Sequence, residues 1–586
     1  MIGPILRLEL LLGSRRTRLH YLRWGIAAWL LILVIALYFR CNLERNERSQ
    51  ALDEPRHNRV AHSFVVARWF ASAFLDQQLL LLLLATPVFV AGAVTDEKRS
   101  ATLDALLTTP LESRHLILGK LLGRLTPVLL LLLTGLPLYA FFAGIAGVAP
   151  VAAALAGLAF AGPLFGLGAA AVLASTLCRH TRDAVLSVYL GVALGAVLVG
   201  LVGGFLSYFN PLYVLEPLRA APVSLAVVGE RLPGSLLAWG LLGAACLGLA
   251  SWCLRPVRRA EAEGTTEPGW VSQERQPVGD DPVRWHEGRL EGLSPWRGLR
   301  RASPAAVQTA VAAGSTVLSL MTLLLSLRPG AGPGDLVRAV ARLNMARLME
   351  LLPHAPLAFL GQAMLAMLLF SLVVAVRGAG SVSGERERHT WEPLLTTTLT
   401  VREVLRGKLW GVLDAAVWYL PAYGAPAVLV SVLGGPMALL HTVLWLAATP
   451  LAMYFAASVG LWCSVRCSST WHSLLATLGV GFLTGVLTAL LAALAAMIAG
   501  FLLMPLLIGL DAEGSGASPF GFERYRDAVA LAAAPALAGL CFAAARLLQL
   551  GALFHVLERE RVRHWPREPI YRRPRRGPRP LPRPAT

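Results

Sequence analysis

The chain has 586 residues, of which 56% are hydrophobic and 15% are charged, and its mean hydropathy is +0.60. These values exclude an ordinary soluble domain and indicate a polytopic membrane protein, because each helical span needs about 20 apolar residues to cross about 30 Å of hydrocarbon. The net charge is +18. No basic patch with interleaved aromatic residues forms a recognisable domain, so we do not expect nucleic-acid binding.

The first twenty residues combine a leucine-rich face with Pro4, Glu9 and several arginines. This pattern predicts an amphipathic elbow helix at the membrane surface rather than a span. Residues 281–287 repeat the pattern of residues 3–9, so a second elbow helix is expected there. The N-terminus shows no cleavable apolar region, and we expect the first span to be retained.

About twelve apolar runs of span length follow along the chain. They lie at about 22–40, 68–94, 122–145, 150–177, 184–208 and 234–254, and at about 304–327, 356–377, 409–433, 438–462, 473–509 and 528–552. The run at 473–509 is long enough for a span plus a re-entrant piece. With six spans each, two halves enter the membrane from the same side and are related by an axis along the membrane normal.

The sequence therefore predicts an all-α polytopic membrane protein with two repeated six-helix bundles. The boundaries are a first half at 1–258, a polar cytoplasmic linker at 259–280, a second half at 281–557 and an Arg/Pro-rich tail at 558–586. Arginines gather at alternate span ends, which by the positive-inside rule places both termini in the cytoplasm. We expect a multi-pass protein of the plasma membrane, which is the inner membrane of a bacterium.

Two charged stretches, 91–121 and 379–409, align without a gap at an offset of 288 (379 − 91), with 14 of 31 positions identical. We call them the repeat segments. In each, a threonine precedes an acid, which predicts an N-capped short helix with a carboxylate in its first turn. The threonines and acids are Thr102 with Asp104 and Thr390 with Glu392. Leucines three and four positions apart then share one face of that helix.

Each repeat segment ends on a Gly-Lys pair. We expect Pro110 to end the first short helix, because its ring cannot continue one. Gly119-Lys120 and Gly407-Lys408 are expected to set a helix boundary at the headgroups, where the lysines extend toward water.

The pattern acid-base-x-x-x-Thr-[Leu/Trp]-acid-x-Leu-Leu-x-Thr-[Pro/Thr]-Leu, closing on Gly-Lys, resembles the segment between the second and third spans of type-two export permeases of ATP-binding-cassette (ABC) transporters. In that family the segment holds the coupling helix, which docks on the ATPase subunit. The implied contact residues are Glu97, Thr102, Asp104, Leu106, Leu107, Glu385, Thr390, Glu392, Leu394 and Leu395. The chain departs from the family pattern at Ala101 and His389, where glycine is usual, and at Thr398, where proline is usual.

This resemblance implies a permease that is not itself an enzyme and exports an unidentified substrate. No GxxxxGK[ST] motif occurs, so we expect the chain to bind no cofactor, with ATP and Mg²⁺ held by separate ABC ATPase subunits. One fused chain could act as a pseudo-dimer, or two chains could pair, since both arrangements are closed and symmetric. Cys463 and Cys467, with His472 nearby, offer too few ligands for a metal site.

Two other functions compete with this one. A twelve-span secondary transporter driven by an ion gradient would have Gly-x-x-x-Asp-[Arg/Lys]-x-Gly-Arg after its second span, and that motif does not occur here. A non-transporting membrane assembly or membrane enzyme leaves the duplicated segment unexplained. Burying a polar side chain within a membrane span costs free energy, so such a side chain indicates a function. For any transporter, the candidate pathway residues are therefore Asp76 with Gln77, and Gln362 in the second half. Interfacial placement of Asp76 is an equal alternative.

Two GxxxG pairs, Gly191 with Gly195 and Gly481 with Gly485, lie in the fifth and eleventh runs. Such pairs predict close contact between helices in a membrane.

Overall fold

The structure is a computed structural model that describes residues 23–35, 59–100, 102–109, 112–145, 150–178, 180–202, 204–219, 224–262, 281–290, 304–328, 330, 332–342, 344–395, 397–511 and 522–564. Within these ranges the regular elements are all helices, and ten of the helices are long and apolar enough to cross a membrane. The prediction of an all-α polytopic membrane protein is confirmed.

The first half consists of long apolar helices with a few short helices between them. In chain order they are α1 (Arg23–Ile35), α2 (Arg59–Val90), α3 (Gly92–Arg99), α4 (Thr102–Leu107), α5 (Ser113–Ile145), α6 (Pro150–Leu177), α7 (Thr181–Val202), α8 (Pro211–Arg219) and α9 (Leu225–Ala262). The core of this half forms where α2 packs on α5 and α6 packs on α9.

The second half repeats this order. Its helices are α10 (Pro282–Trp285), α11 (Pro304–Leu325), α12 (Pro333–Ala341), α13 (Met345–Leu351), α14 (Ala355–Ser381), α15 (Ser383–Glu387), α16 (Trp391–Leu395), α17 (Val401–Val417), α18 (Tyr419–Ser431), α19 (Pro436–Arg466), α20 (Thr470–Asp511) and α21 (Phe522–His564). Here α19 packs against both α14 and α21. The linker beyond Ala262 and the tail beyond His564 lie outside the described residues.

One long run differs from its prediction. The expected span plus re-entrant piece at 473–509 is wrong, because α20 is a single helix of 42 residues. At 1.5 Å per residue it is about 63 Å long, roughly twice the thickness of the hydrocarbon layer. The helix therefore extends well past the membrane at one or both ends.

The elbow helices are only partly described. Residues 1–22 lie outside the described part, so the first elbow helix stays a prediction. In the second half, α10 continues into a π-helical turn at His286–Leu290, and both pack along α17. This segment, 281–290, which we call the second-half elbow segment, is thus held by protein contacts.

The helices α14 and α19 approach closely where two glycines face each other. A Cβ atom built on Gly460 would lie 2.6 Å from the carbonyl oxygen of Ala375, and one on Gly378 would lie 3.0 Å from that of Ala457. By contrast, Gly191, Gly195 and Gly485 have no atom within 4 Å of such a Cβ, and Gly481 has only Val459 Cγ1, at an ordinary contact distance of 3.8 Å. The two GxxxG pairs therefore do not mark close contacts within the described chain, and that prediction is wrong.

The two halves meet through equivalent helices. The repeat relates α2 to α14 and α7 to α20, and the structure places α2 against α20 and α14 against α7. Phe89 and Trp471 meet edge to face here, with 5.7 Å between ring centroids. This exchange of equivalent contacts is the signature of a pseudo-twofold axis between the halves.

We expect Gly460→Ala to lower the thermal stability of the detergent-solubilised chain. The added methyl group would meet backbone on the facing helix, and such overpacking costs about 1–3 kcal/mol. Gly485→Ala is the matched control, because open space surrounds its Cβ position. Equal melting temperatures for both variants would contradict this account.

Candidate functional site

Each repeat segment contains a short helix near its start, α3 in the first half and α15 in the second. This short helix is hydrogen-bonded to a long helix that comes later in the chain, α6 or α19. Ser175, fully buried in α6, accepts hydrogen bonds from the backbone N–H groups of Val94 (2.9 Å) and Thr95 (3.0 Å). Ser464 in α19 accepts the same two bonds in the second half, at 2.9 and 2.8 Å. These serines satisfy N–H groups where the chain turns from a long helix into a short one, which buried backbone requires.

A cation near the end of each short helix makes a second attachment. Lys98 donates hydrogen bonds of 2.6 and 3.2 Å to the carbonyl groups at the C-terminal end of α6. Arg386 donates bonds of 2.6 and 3.1 Å to those at the end of α19. Helix C-termini carry unpaired carbonyls and partial negative charge, so a cation there is stabilising.

The two serines, which we call anchors, were not among the residues singled out from the sequence. Their signal is a second internal repeat, Ser-x-x-Cys-x-x-Thr, at residues 175–181 and 464–470. Its offset is 289 (464 − 175) rather than 288, so an alignment held at a single offset misses it.

Three side chains of each repeat segment join its short helices to the long helix that follows. We call each cluster a latch; the members are Glu97, Thr102 and Lys120 in the first half and Glu385, Thr390 and Lys408 in the second. Lys120 Nζ lies 2.7 Å from Glu97 Oε1, and Lys408 Nζ lies 3.4 Å from Glu385 Oε1. Each threonine hydroxyl donates a hydrogen bond to the acid of its own segment.

In the latches, the threonine hydroxyls make hydrogen bonds that differ from the predicted helix caps. α4 begins at Thr102 itself, and the hydroxyl serves Glu97 instead of an N–H group of the helix. Thr390 does precede α16, but its hydroxyl likewise bonds Glu385. The hydroxyl donates to the carboxylate because a charged oxygen is a stronger acceptor than a neutral one.

The Gly-Lys pairs also differ from their prediction. Gly119 and Lys120 lie within α5, and Gly407 and Lys408 lie within α17, so neither pair marks a helix boundary. Lys120 is 3% exposed and Lys408 is 2% exposed. The expectation that they extend toward water is therefore wrong, and each is paired with an acid, as burial of a charge requires.

The second latch has an additional partner from the second-half elbow segment. Glu287, whose side chain is 3% exposed, lies 2.5 Å from Lys408 Nζ. Gly407 and Gly411 allow this packing, since a Cβ on either would lie 2.7 Å from Val283 or 2.5 Å from Glu287. Close approach of the elbow segment explains Gly407 better than a helix boundary does.

An ion pair at the surface reinforces this attachment. Both nitrogen donors of Arg284 that face α17 bond the carboxylate of Asp414, at 2.5 and 3.0 Å. Hydrogen bonding to Asp414 raises the pKa of the Arg284 guanidinium above its usual value, although partial burial opposes the shift.

The short helices α4 and α16 present a mixed acidic and apolar surface. Leu103 and its equivalent Trp391 are buried, at 0% and 6% exposed. Asp104 and Glu392 are exposed. The remaining predicted contact residues Leu106, Leu107 and Leu394 are half-buried and pack partly on the core. The leucine face is therefore only partly open to solvent. The side chain of Leu395 and all of Pro110 lie outside the described residues; α4 ends before that proline, at Leu107.

His389 occupies a conformation that favours glycine. Its φ angle is 58°, in the left-handed region, and its side chain is exposed. Glycine is usual here in the family that the segment resembles, and the backbone now gives the physical reason, since a Cβ atom is strained in this region.

The candidate pathway residues lie apart from the latches. Asp76 pairs with Arg219 of α8, and about half of its carboxylate side chain is exposed. Gln362, 7% exposed, donates its amide to Ser319 at 2.8 Å within the second half. Gln77 is half-buried next to Asp76. The structure thus does not join these residues into one site, and their transport role stays a prediction.

Fold and site together define a class: a duplicated helical membrane protein whose halves each carry a latched pair of short helices at the same end. Residues 19–233 and 273–548 match the family model described as ABC-2 family transporter protein. The match covers well over half of the chain, so the chain belongs to the ABC-2 transporter family and is the permease component of an ABC transporter, as the two matched regions of a fused permease indicate. No curated protein matches it. The exact domain boundaries stay predictions.

We expect Lys408→Met to lower the free energy of unfolding by about 3–5 kcal/mol, because it leaves Glu287 and Glu385 without a cation in a buried site. Adding Glu287→Gln should recover part of the loss. The measurement is the melting temperature of the purified chain in detergent.

The control for that variant is Arg114→Met. Arg114 pairs with Glu112 at the surface, where it lowers the pKa of that carboxyl, and both side chains are largely exposed. Its loss should be undetectable. If Lys408→Met were equally mild, the buried latch would not stabilise the fold.

We expect His389→Gly to keep or raise the melting temperature and His389→Val to lower it. Glycine relieves about 1 kcal/mol of backbone strain, partly offset by its greater freedom in the unfolded chain, whereas a β-branched residue increases the strain. A lower melting temperature for the glycine variant than for wild type would refute the assigned backbone conformation.

Proposed function

We propose that the chain is the transmembrane subunit of an ABC exporter and that two separate ATPase subunits dock on its repeat segments, one on α4 and one on α16. ATP and Mg²⁺ are then bound by those subunits. Family membership supports the permease role. The observation that carries the docking proposal is the duplication of the latch, since two distinct halves hold the same short helix in the same way.

The exposed surface of these helices suits a protein partner. Asp104 on α4 and Glu392 on α16 occupy equivalent positions and are both exposed acids. Half-buried leucines lie beside them, namely Leu106, Leu107 and Leu394. A groove on an ATPase subunit with an apolar floor and a basic rim is the complementary surface.

Contacts of the latch give a path for motion from the docked helix into the membrane. Thr102 links α4 to Glu97 at the end of α3, and Glu97 links it to Lys120 in α5. Ser175 and Lys98 attach α3 to α6. A displacement of α4 is thus passed to three long helices, α2, α5 and α6, through short polar contacts. In the second half the corresponding helices are α14, α17 and α19.

The arginine distribution supports an orientation with the repeat segments and both termini in the cytoplasm, in the bacterial inner membrane. In this orientation the latches face the compartment that contains ATP. The transported substrate is left open, because the described residues of the apolar spans present no set of polar groups that selects one.

We expect Asp104→Lys and Glu392→Lys each to reduce co-purification of the host's ATPase subunits with the detergent-solubilised chain, and the double variant to abolish it. Charge reversal of a rim residue slows association and can cost about tenfold or more in affinity. The readout is the ratio of ATPase to permease in the eluate, together with ATP hydrolysis by the complex.

Glu350→Lys is the control, since Glu350 is an equally exposed acid on α13, outside the repeat segments. Melting temperatures of all variants show whether the chain has stayed folded. If ATPase subunits associate with no form of the chain, the docking proposal fails, and transport driven by an ion gradient becomes the function to test.

A further inference from the structure

Arg99 and Glu387 form an ion pair between the two halves, with 2.7 Å between Nη1 and Oε2. They occupy equivalent positions of the two repeat segments, since 387 − 99 = 288. A position that meets its own equivalent lies at the twofold axis of the arrangement. The Arg99–Glu387 pair is therefore the point where the pseudo-twofold axis passes between the halves.

The charges at this point are opposite, which breaks the symmetry of the repeat. If two copies of the first half met in the same way, Arg99 would face another Arg99. Two copies of the second half would place Glu387 against Glu387. Like charges in contact repel strongly when they are partly removed from water. The Glu387 side chain is only 7% exposed, so repulsion between two such acids would be poorly screened, whereas the Arg99 side chain is 39% exposed and repulsion between two arginines would be screened more.

Glu387 is also held in place by its own half. Its carboxylate accepts hydrogen bonds of 2.5 Å from both the N–H and the hydroxyl of Thr470, at the first turn of α20. The first half places threonine at the equivalent position, Thr181, but Thr181 lies 2.8 Å from the hydroxyl of Thr95 instead. The acid at the axis is thus positioned to receive a cation from the other half.

A second contact between the halves also lacks a counterpart related by the pseudo-twofold axis. Arg388 of the second half lies 3.1 Å from His180 Nε2 of the first. The equivalent residues are Ser100 and Ser469, and each bonds within its own half, Ser100 to the carbonyl of Asp96 at 3.0 Å and Ser469 to His472. At both of these contacts the two halves therefore carry different side chains at equivalent positions.

A cavity of about 30 Å³ lies beside these contacts, lined by Thr95, Arg182 and Gly384 among others. It has room for about two water molecules. Because the Arg99 side chain is partly exposed to solvent, the ion pair contributes more to the choice of partner than to total stability.

We infer that the two halves are a matched pair: the interface of the first half accepts the second half and rejects another copy of itself. One chain then forms the complete transmembrane unit, and two chains are not needed. The Arg99–Glu387 contact at the axis is the element that makes this choice. The inference concerns assembly of the halves and holds or fails independently of ATPase docking.

The test begins with the full chain, carrying a protease site in the linker at 259–280 and a tag on the N-terminus. After purification and cleavage, the tagged first half is immobilised and the retained second half is followed over time. We expect stable retention for wild type, and dissociation about tenfold faster or more for Arg99→Glu and for Glu387→Arg. The exchanged double variant Arg99→Glu/Glu387→Arg should dissociate more slowly than Glu387→Arg, and recovery is partial because both variants also lose the hydrogen bonds from Thr470 to the Glu387 carboxylate.

Arg114→Glu is the matched control, since it reverses a cation that pairs within the first half. Should single variants fail to fold, Arg99→Ala/Glu387→Ala supplies a variant without like charges, whose dissociation should lie between those of wild type and the reversals. Failure of the exchanged variant to dissociate more slowly than Glu387→Arg would overturn the inference.

A second measurement tests the choice of partner directly. Two full chains with different tags are co-expressed, and one tag is used for purification. We expect the second tag to be absent from the eluate and the mass in detergent to be that of one chain. Recovery of both tags in comparable amounts would show that halves pair between chains, and it would also overturn the inference.

Discussion

A lysine ammonium group that is removed from water must pair with a carboxylate, and this requirement determines the path of the chain through both repeat segments. Lys120 and Lys408 each lie 23 residues after the acid they contact. The chain between must therefore leave one long helix, form a short helix and a turn, and return into the next long helix. The short helices α4 and α16 are the tips of these closed loops, and their positions follow from the charge pairing behind them.

The two halves keep this constraint while differing around it. In the second half Lys408 serves two acids, and α14 and α19 approach through facing glycines that the first half replaces with Val90 and Ala171. At the axis an arginine meets a glutamate. Duplication has thus preserved what holds the docking helices and changed what lies between the halves, as expected when one chain takes the place of a symmetric dimer.

The sequence revealed much of this architecture. Long apolar runs and the repeat at offset 288 are strong signals, and they predicted the helical class, the duplicated organisation and the location of the short helices. Interpretation of individual side chains was less successful. A lysine at the start of an apolar run reads as a headgroup contact, since only the folded chain shows that Glu287, 121 residues earlier, covers Lys408.

Close helix contact was equally hard to predict. GxxxG spacing at Gly481 and Gly485 meets only Val459, at 3.8 Å from the Cβ position of Gly481, whereas Gly378 and Gly460 are single glycines on two helices and form no motif in either. A spacing rule applied to one helix cannot reveal a contact that depends on two. The anchors Ser175 and Ser464 were hidden for a different reason, because one inserted residue shifts them to an offset of 289 (464 − 175).

The separation of charged partners along the chain also sets an order for membrane insertion during synthesis. Lys120 meets Glu97 within a single helical hairpin, so a nascent chain can neutralise this pair as soon as α5 is made. Glu287 precedes Lys408 by 121 residues. It must remain hydrated while α11 and α14 are synthesised, and the second half acquires its buried charge cluster only when α17 emerges.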